Sequence, residues 1–333
     1  MPLPLGSAAP GNGADQLAEA ATRAGLDQLP ADSILRTFHP AVASWFLRRF
    51  PSGPTEPQRR AWPAIATGSD VLVASPTGTG KTLTGFLVAI DAAYRAHAAG
   101  GPVIDPTSAG PGVVYVSPLR ALATDVHENL QVPLAGIADE AARLGLQAPD
   151  LSVAVRTGDT PAAERAAMRR SPPDLLVTTP ESLYLLLTAA SSRSILRGVH
   201  TVIVDEVHTL ARDKRGAHLA LTLERLRGVV AAGGNRLQRV GLSATQRPLD
   251  VVATLLSGTS PLQAPTTIID CGHRRDIDVA IELPDSELEA VTSGLQLSDV
   301  LDRIAAHVLE HRTTLVFVNT RKMAERVAHQ LLP

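Results

Sequence analysis

Ser75-Pro-Thr-Gly-Thr-Gly-Lys81-Thr82 combines small residues, two glycines, a lysine and a hydroxyl in eight positions. Such a run suits phosphate binding. Small residues at Ser75, Thr77, Gly78, Thr79 and Gly80 let the backbone curl so that its N–H groups face phosphate oxygens. Lys81 would reach the β- and γ-phosphates, and the Thr82 hydroxyl would hold Mg²⁺. The strict pattern has Gly where this chain has Ser75. A second constellation is Asp205-Glu206-Val207-His208, after the apolar run Val202–Val204. Asp205 would join Thr82 in the Mg²⁺ shell, and Glu206 would orient and deprotonate an attacking water. A third, weaker one is Ser243-Ala244-Thr245. Its hydroxyls could hydrogen-bond His208 and Asp205, although short hydroxyl residues at strand ends are also ordinary turn formers.

These residues need a scaffold that converges them. Apolar runs at Val71–Ala74, Val113–Val116, Ser152–Val155, Leu175–Val177, Thr201–Val204 and Val240–Leu242 read as buried strands, with helical stretches between most of them. That alternation predicts an α/β fold with a parallel sheet covered on both faces. The Ala/Leu-rich stretch after Lys81 is the helix whose N-terminus would face phosphate. Residues 1–30 are rich in Ala, Gly and Pro and read as a flexible tail with a short helix near Asp15–Ala24. The first lobe then runs over 31–265, and a linker strand and loop over 266–296. Ile277, Val279, Ile281 and Leu283 alternate with polar residues, as in a half-exposed strand or extended linker. Residues 297–333 offer a helix (Asp299–Glu310), a strand (Thr314–Val318) and a helix (Arg321–Leu332). They look like the start of a second α/β lobe, with Leu301, Ile304, Val316 and Val327 lacking a full core.

Composition bounds the partners. Among 333 residues 44% are hydrophobic and 19% charged, which fits a sizeable core. A net charge of −2 excludes a global basic field, so any nucleic-acid site is local. All but three of the 31 Lys+Arg residues are arginine, which makes Lys81 stand out. One cysteine, Cys271, excludes an internal disulfide and fits a reducing, cytoplasmic compartment. No apolar run is long enough to span a membrane, and no secretory signal is visible. His200, His208 and His218 share no metal-ligand spacing, and a single cysteine argues against zinc. Trp45, Phe46 and Phe50 read as core residues. Arg212–Arg215 reads as a solvated turn, and Thr178-x-x-Glu181 before Pro180 as a capping box.

Taken in order, the motifs resemble those of superfamily 2 DEAD/DEAH-type helicases. They are Pro57-Gln58, Ser75–Thr82, Ser117–Leu122, Arg156–Thr160, Thr178–Leu183, Asp205–His208, Ser243–Thr245 and Leu315–Arg321. Arg156–Thr160, Thr179–Leu187 and Lys214–Ala220 are similar to the large helicase-related (Lhr) family, of which this would be an amino-terminal portion. The resemblance implies a RecA-like P-loop lobe, ATP and Mg²⁺ as cofactors, and 3′ to 5′ movement on single-stranded DNA. It also implies duplex or RNA–DNA hybrid substrates and a DNA-repair setting. Gln58 would read adenine, and His208 would lie beside the nucleotide. Arg120, Thr157 and Thr179 would track the nucleic-acid backbone, and Ser243 and Thr245 would couple the two sites. With aromatic residues at 3%, base stacking cannot be the main grip. Two other readings stay open: a nucleotide-gated nucleic-acid binder that does not unwind, and a metabolic P-loop enzyme.

Overall fold

The computed structural model describes residues 13–100, 110–259, 264–272, 278–283 and 294–331. The chain divides into two units, residues 1–273 and 274–333.

The first unit is built on seven parallel strands in the order β3-β4-β2-β5-β6-β1-β7. They are β1 (Val71–Ala74), β2 (Val113–Val116), β3 (Val153–Arg156), β4 (Leu175–Thr178), β5 (Thr201–Val204), β6 (Gln238–Ser243) and β7 (Thr267–Asp270). The β-branched runs that form the inner strands are buried throughout. Side chains alternate between faces along each strand, which explains two separate cores. Val71, Val73, Tyr115, Ile203 and Leu242 pack with Trp62 and Phe86 on one face. Leu72, Val114, Val116, Val202 and Val204 pack with Leu183, Leu223 and Leu256 on the other. Trp45 and Phe46 lie in the first of these cores, with Phe50 packed against it, as expected.

Because every pairing is parallel, all strands end at one edge of the sheet. The register aligns Ala74 with Ser243, Val204 with Gly241, Val116 with both Val204 and Thr178, and Thr178 with Arg156. Every candidate motif after the Pro-Gln pair and before the second unit follows one of those ends. The sheet therefore assembles residues far apart in sequence along one crevice.

Four expectations need correction. The sheet does not stop at 265, because β7 pairs with β1 through Val71↔Thr267 to Ala74↔Asp270. Residues 13–29 are not a free tail. The amphipathic helix Gly13–Arg23 buries Ala20, and Leu26 lies in the core. Arg23 Nη1 also donates to the Leu144 carbonyl at 3.0 Å. Thr314–Val318 is no strand, because no neighbouring strand among the described residues supplies a ladder; Leu315 and Phe317 are exposed. Residues 278–283 form no strand, which removes that one of the two alternatives, with Val279, Ile281 and Leu283 exposed; Ile277 lies outside the described residues. In the second unit the helices are Gly294–Glu310 and Arg321–Leu331, and residues 284–293 of the expected loop lie outside the described residues. These helices share a small cluster of Leu297, Leu301 and Val327. No helix among the described residues is long and apolar enough to cross a membrane.

Candidate nucleotide and nucleic-acid sites

The loop after β1 folds as its residue types demand. Gly78 and Gly80 sit at φ 81° and 80°, the left-handed region that glycine enters without penalty. Gly80 caps the helix Lys81–Ala98. Ser75, the departure from the strict pattern, is fully buried, and its Oγ lies 2.8 Å from Thr79 Oγ1. Thr79 Oγ1 in turn donates to the Pro76 carbonyl at 2.9 Å, so the extra hydroxyl is absorbed inside the loop. Lys81 is buried, and its Nζ donates to the Ser75 carbonyl at 2.9 Å. Burial lowers its pKa, while Glu206 and Asp205 push the other way. The ammonium is thus parked on the loop's own backbone, facing two carboxylates.

Across the sheet, Asp205 ends β5. Its Oδ1 accepts the Glu206 backbone N–H at 2.8 Å, and its Oδ2 accepts the Tyr115 hydroxyl. The same hydroxyl is hydrogen-bonded to Thr82. Burial, then the Asp205 charge, raises the Tyr115 pKa well above its usual range, so it stays a donor. Thr82 and Asp205, the two residues expected to share a metal ion, thus flank one phenolic oxygen. A hydroxyl and a carboxylate are hard oxygen donors, the set Mg²⁺ takes. The residues fit the cofactor.

Glu206 is at φ 47°, the one non-glycine residue with positive φ among those described. Such a backbone costs about 1–3 kcal/mol and persists where the surroundings impose it. His208 Nδ1 accepts the Ala244 N–H at 3.1 Å and lies 3.2 Å from Glu206 Oε2. An Nδ1 that accepts carries no proton, and burial lowers the His208 pKa. This imidazole is therefore neutral with its proton on Nε2, and its contact with Glu206 is not an ion pair. The link between β5 and β6 runs through the Ala244 backbone, not through the Ser243 or Thr245 hydroxyls. Ser243 Oγ donates to the Ala244 carbonyl, and Thr245 is exposed.

Gln58 is buried beside the loop. Its Oε1 accepts the Thr55 N–H at 2.9 Å and its Nε2 lies 3.5 Å from the Gly80 carbonyl, so its amide caps its own helix, Glu56–Ala66. Thr55 Oγ1 reaches the Thr79 carbonyl at 3.0 Å, which ties that helix start to the phosphate loop.

The candidate tracking residues occupy the same sheet edge beyond β2, β3 and β4. Arg120 Nη1 lies 2.6 and 2.8 Å from the two Asp159 carboxylate oxygens, and both side chains are exposed. Thr157 and Thr179 are buried in local turns. Thr157 N donates to Thr160 Oγ1, and Thr179 caps the helix Pro180–Thr188 by accepting from Ser182 N. The cap is Thr179, not Thr178, because Thr178 is the last ladder residue of β4 and its hydroxyl donates to Arg156 O. Arg215 is not a free surface charge. Its Nε pairs with Glu181 at 2.8 Å and its Nη2 donates to the Pro118 carbonyl at 2.8 Å, joining two motifs.

Sequence reasoning missed Tyr115, Ala244 and Arg215. A tyrosine within a valine strand was the available signal, since a buried phenol needs a partner.

Residues 55–252 match the DEAD/DEAH box helicase family. The chain is 46% identical over 297 residues to the Lhr helicase/probable uracil glycosylase of Mycolicibacterium smegmatis, covering 89% of this chain and 19% of that protein. It is 42% identical to the ATP-dependent helicase Lhr-Core of Methanothermobacter thermautotrophicus, covering 88% of this chain and 33% of that protein. It therefore spans between a fifth and a third of these relatives' lengths. Among solved structures, that of Mycobacterium smegmatis helicase Lhr bound to ssDNA and AMP-PNP superposes with TM-score 0.72 at 46% identity. It covers 89% of this chain and 36% of the other. The fold alone is shared with the DEAD-box helicase Mss116, at TM-score 0.55 and 18% identity.

Proposed function

The chain belongs to the DEAD/DEAH box helicase family, and from that premise we propose that it is the ATP-hydrolysing part of an Lhr-type nucleic-acid helicase. The observation that carries this reading is the convergence of Lys81, Thr82, Asp205, Glu206 and His208 around Tyr115 and Ala244 at the ends of β1, β5 and β6. Loop N–H groups and Lys81 bind the polyphosphate. To do so, Lys81 exchanges the Ser75 carbonyl for phosphate oxygens. Thr82 and Asp205 hold Mg²⁺, which neutralises phosphate charge when bound. Glu206, fixed by its backbone, accepts the proton of the attacking water. His208 sits between that base and Ala244, so a shift at Glu206 moves the end of β6.

Nucleic acid would run along the edge formed by Arg120, Thr157 and Thr179, gripping phosphates in exchange for the Arg120–Asp159 pair. Single-stranded DNA is the substrate this reading favours, since a similar structure was solved bound to ssDNA and AMP-PNP. Movement 3′ to 5′, unwinding of RNA–DNA hybrids, and a cytoplasmic DNA-repair setting rest on the motif resemblance alone.

A second reading applies to these 333 residues by themselves: nucleotide-gated binding of single strands without unwinding. It is favoured because the second unit has no strand among its described residues, while lobe closure calls for two built lobes. The test pairs two assays. Glu206→Gln should keep ATP binding and lose about 10²–10⁴ in DNA-stimulated hydrolysis; hydrolysis at the parental rate would remove Glu206 as the base. Strand displacement on a 3′-tailed duplex then separates the two readings.

A further inference from the structure

His307-Val-Leu-Glu310-His311 places two histidines four residues apart, with a carboxylate three residues from the first. That spacing puts all three side chains on one side of the C-terminal turn of the helix Gly294–Glu310. One ligating atom from each residue lies within 4.8 Å of those of the other two. The negative end of the helix dipole favours a cation there.

The hydrogen bonds settle which ring nitrogens are free. His307 Nε2 lies 3.1 Å from Glu282 Oε2, and an ionised carboxylate only accepts, so Nε2 carries the proton. In the neutral ring Nδ1 then holds a lone pair, and it faces Glu310 Oε2 at 3.8 Å. The two face each other with room for a shared ligand between them, and both are reachable from solvent. His311 Nδ1 lies 2.9 Å from the His307 carbonyl, which also only accepts. His311 is thus held with its Nε2 lone pair available. Arg303 Nε donates to the same Glu282 oxygen at 2.6 Å and fixes that carboxylate behind His307. A carboxylate that takes the outer N–H of a histidine whose inner nitrogen faces a ligand position is the support pattern of histidine metal sites.

We propose that His307, Glu310 and His311 form a binding site for a divalent transition-metal ion such as Zn²⁺, with Glu282 positioning His307 from behind. Two imidazoles and one carboxylate, with a fourth position for water, suit zinc; Mg²⁺ prefers an all-oxygen shell, so this site is distinct from the nucleotide centre. The three side chains are partly or fully exposed and can close to zinc-ligand distances of about 2.0–2.2 Å by rotamer adjustment. Occupancy would fix two things at once. Through Glu282 it would hold the segment 278–283 against the helix. Through the His307 carbonyl, which also accepts from Thr314 Oγ1 at 3.3 Å, it would steady the turn before residues 314–318.

The test titrates the full chain with zinc sulfate alone, without nucleotide or chelator, by calorimetry. The parent should bind one more zinc equivalent than the double variant His307→Gln/His311→Gln. Glu282→Gln should retain the site with affinity lowered about 10–100-fold. On the unaltered protein, ¹⁵N shifts of the His307 and His311 rings should show metal at His307 Nδ1. Equal stoichiometry and affinity in parent and double variant would overturn the proposal. So would ring nitrogens that do not move at saturating zinc.

Discussion

Tyr115→Phe isolates the group that joins the two halves of the nucleotide site. The ring stacks on Phe86 at 4.7 Å with 19° between planes, and phenylalanine preserves that contact. Only the hydroxyl is lost. In the parent it donates to Asp205 Oδ2 and contacts Thr82, with Tyr115 almost wholly buried and Asp205 nearly so. A hydrogen bond to a charged acceptor contributes about 1.5–3 kcal/mol, and here the acceptor has little access to replacement water. The variant should therefore unfold more easily by about that amount. Trp45 and Trp62, the chain's two tryptophans, both lie in the first unit's core, so their fluorescence in urea follows that unit alone. The midpoint should fall with the slope unchanged. Asp205 also loses its orienting donor, so Mg·ATP should bind about 10–100-fold more weakly by calorimetry, the usual cost of removing a supporting contact behind a metal ligand. A variant as stable as the parent, or one that binds Mg·ATP as tightly, would refute the claim that this hydroxyl sets Asp205 and Thr82 in place.

Lys81→Ala should weaken ATP affinity by about 1.5–3 kcal/mol, one to two orders of magnitude, because it removes a charge-assisted phosphate contact; unchanged titration isotherms would sink the phosphate-loop assignment. Asp91 is buried, accepts the His39 N–H at 2.5 Å, and has its pKa raised from 3.8 to about 6, mainly by burial. Its folded state holds the proton more tightly than the unfolded chain, so its ionisation costs stability as pH rises from 3.8 through about 6. Asp91→Asn should accordingly be more stable than the parent above pH 6, by at most about 3 kcal/mol, and lose that advantage near pH 4. Urea midpoints of the pair across this range check it, and an Asn variant less stable than the parent at neutral pH would reverse the sign of the argument.

What was legible in the sequence was what neighbouring residues decide. The phosphate loop declares itself because glycine, lysine and threonine act within eight positions, and Asp205-Glu206 because an apolar run stops there. Strands are different, since a strand exists only with a partner. Leu315-Val-Phe-Val318 has the composition of a strand and forms none, because no ladder flanks it among the described residues. Thr267-Ile-Ile-Asp270 follows a proline-containing loop, carries a weaker signal, and is a strand because β1 offers an open edge. The slip from Thr178 to Thr179 as helix cap has the same origin: pairing with β2 and β3 claims Thr178 for the ladder before the helix can use it.

The polar contacts that finish the site share that non-local character. Tyr115 meets Asp205 across 90 residues, His208 meets Ala244 across 36, and Arg120 meets Asp159 across 39. The first two join neighbouring strands and the third reaches from beyond β2 to beyond β3 past the intervening β4, so none could be read before the sheet order was known. They also give the low net charge a physical meaning. Lys81 faces Asp205 and Glu206, Arg120 faces Asp159, and Arg215 faces Glu181, so the edge that would hold phosphates is neutralised by its own carboxylates. Under the proposed function, polyphosphate and nucleic-acid backbone would then bind by exchange, taking a cation from a carboxylate already in place. An exchange gains less free energy than an unpaired cation would, and its release is correspondingly easy. If the proposed helicase function holds, with a strand released in every cycle, a grip of this kind suits repeated binding better than a fixed basic patch does.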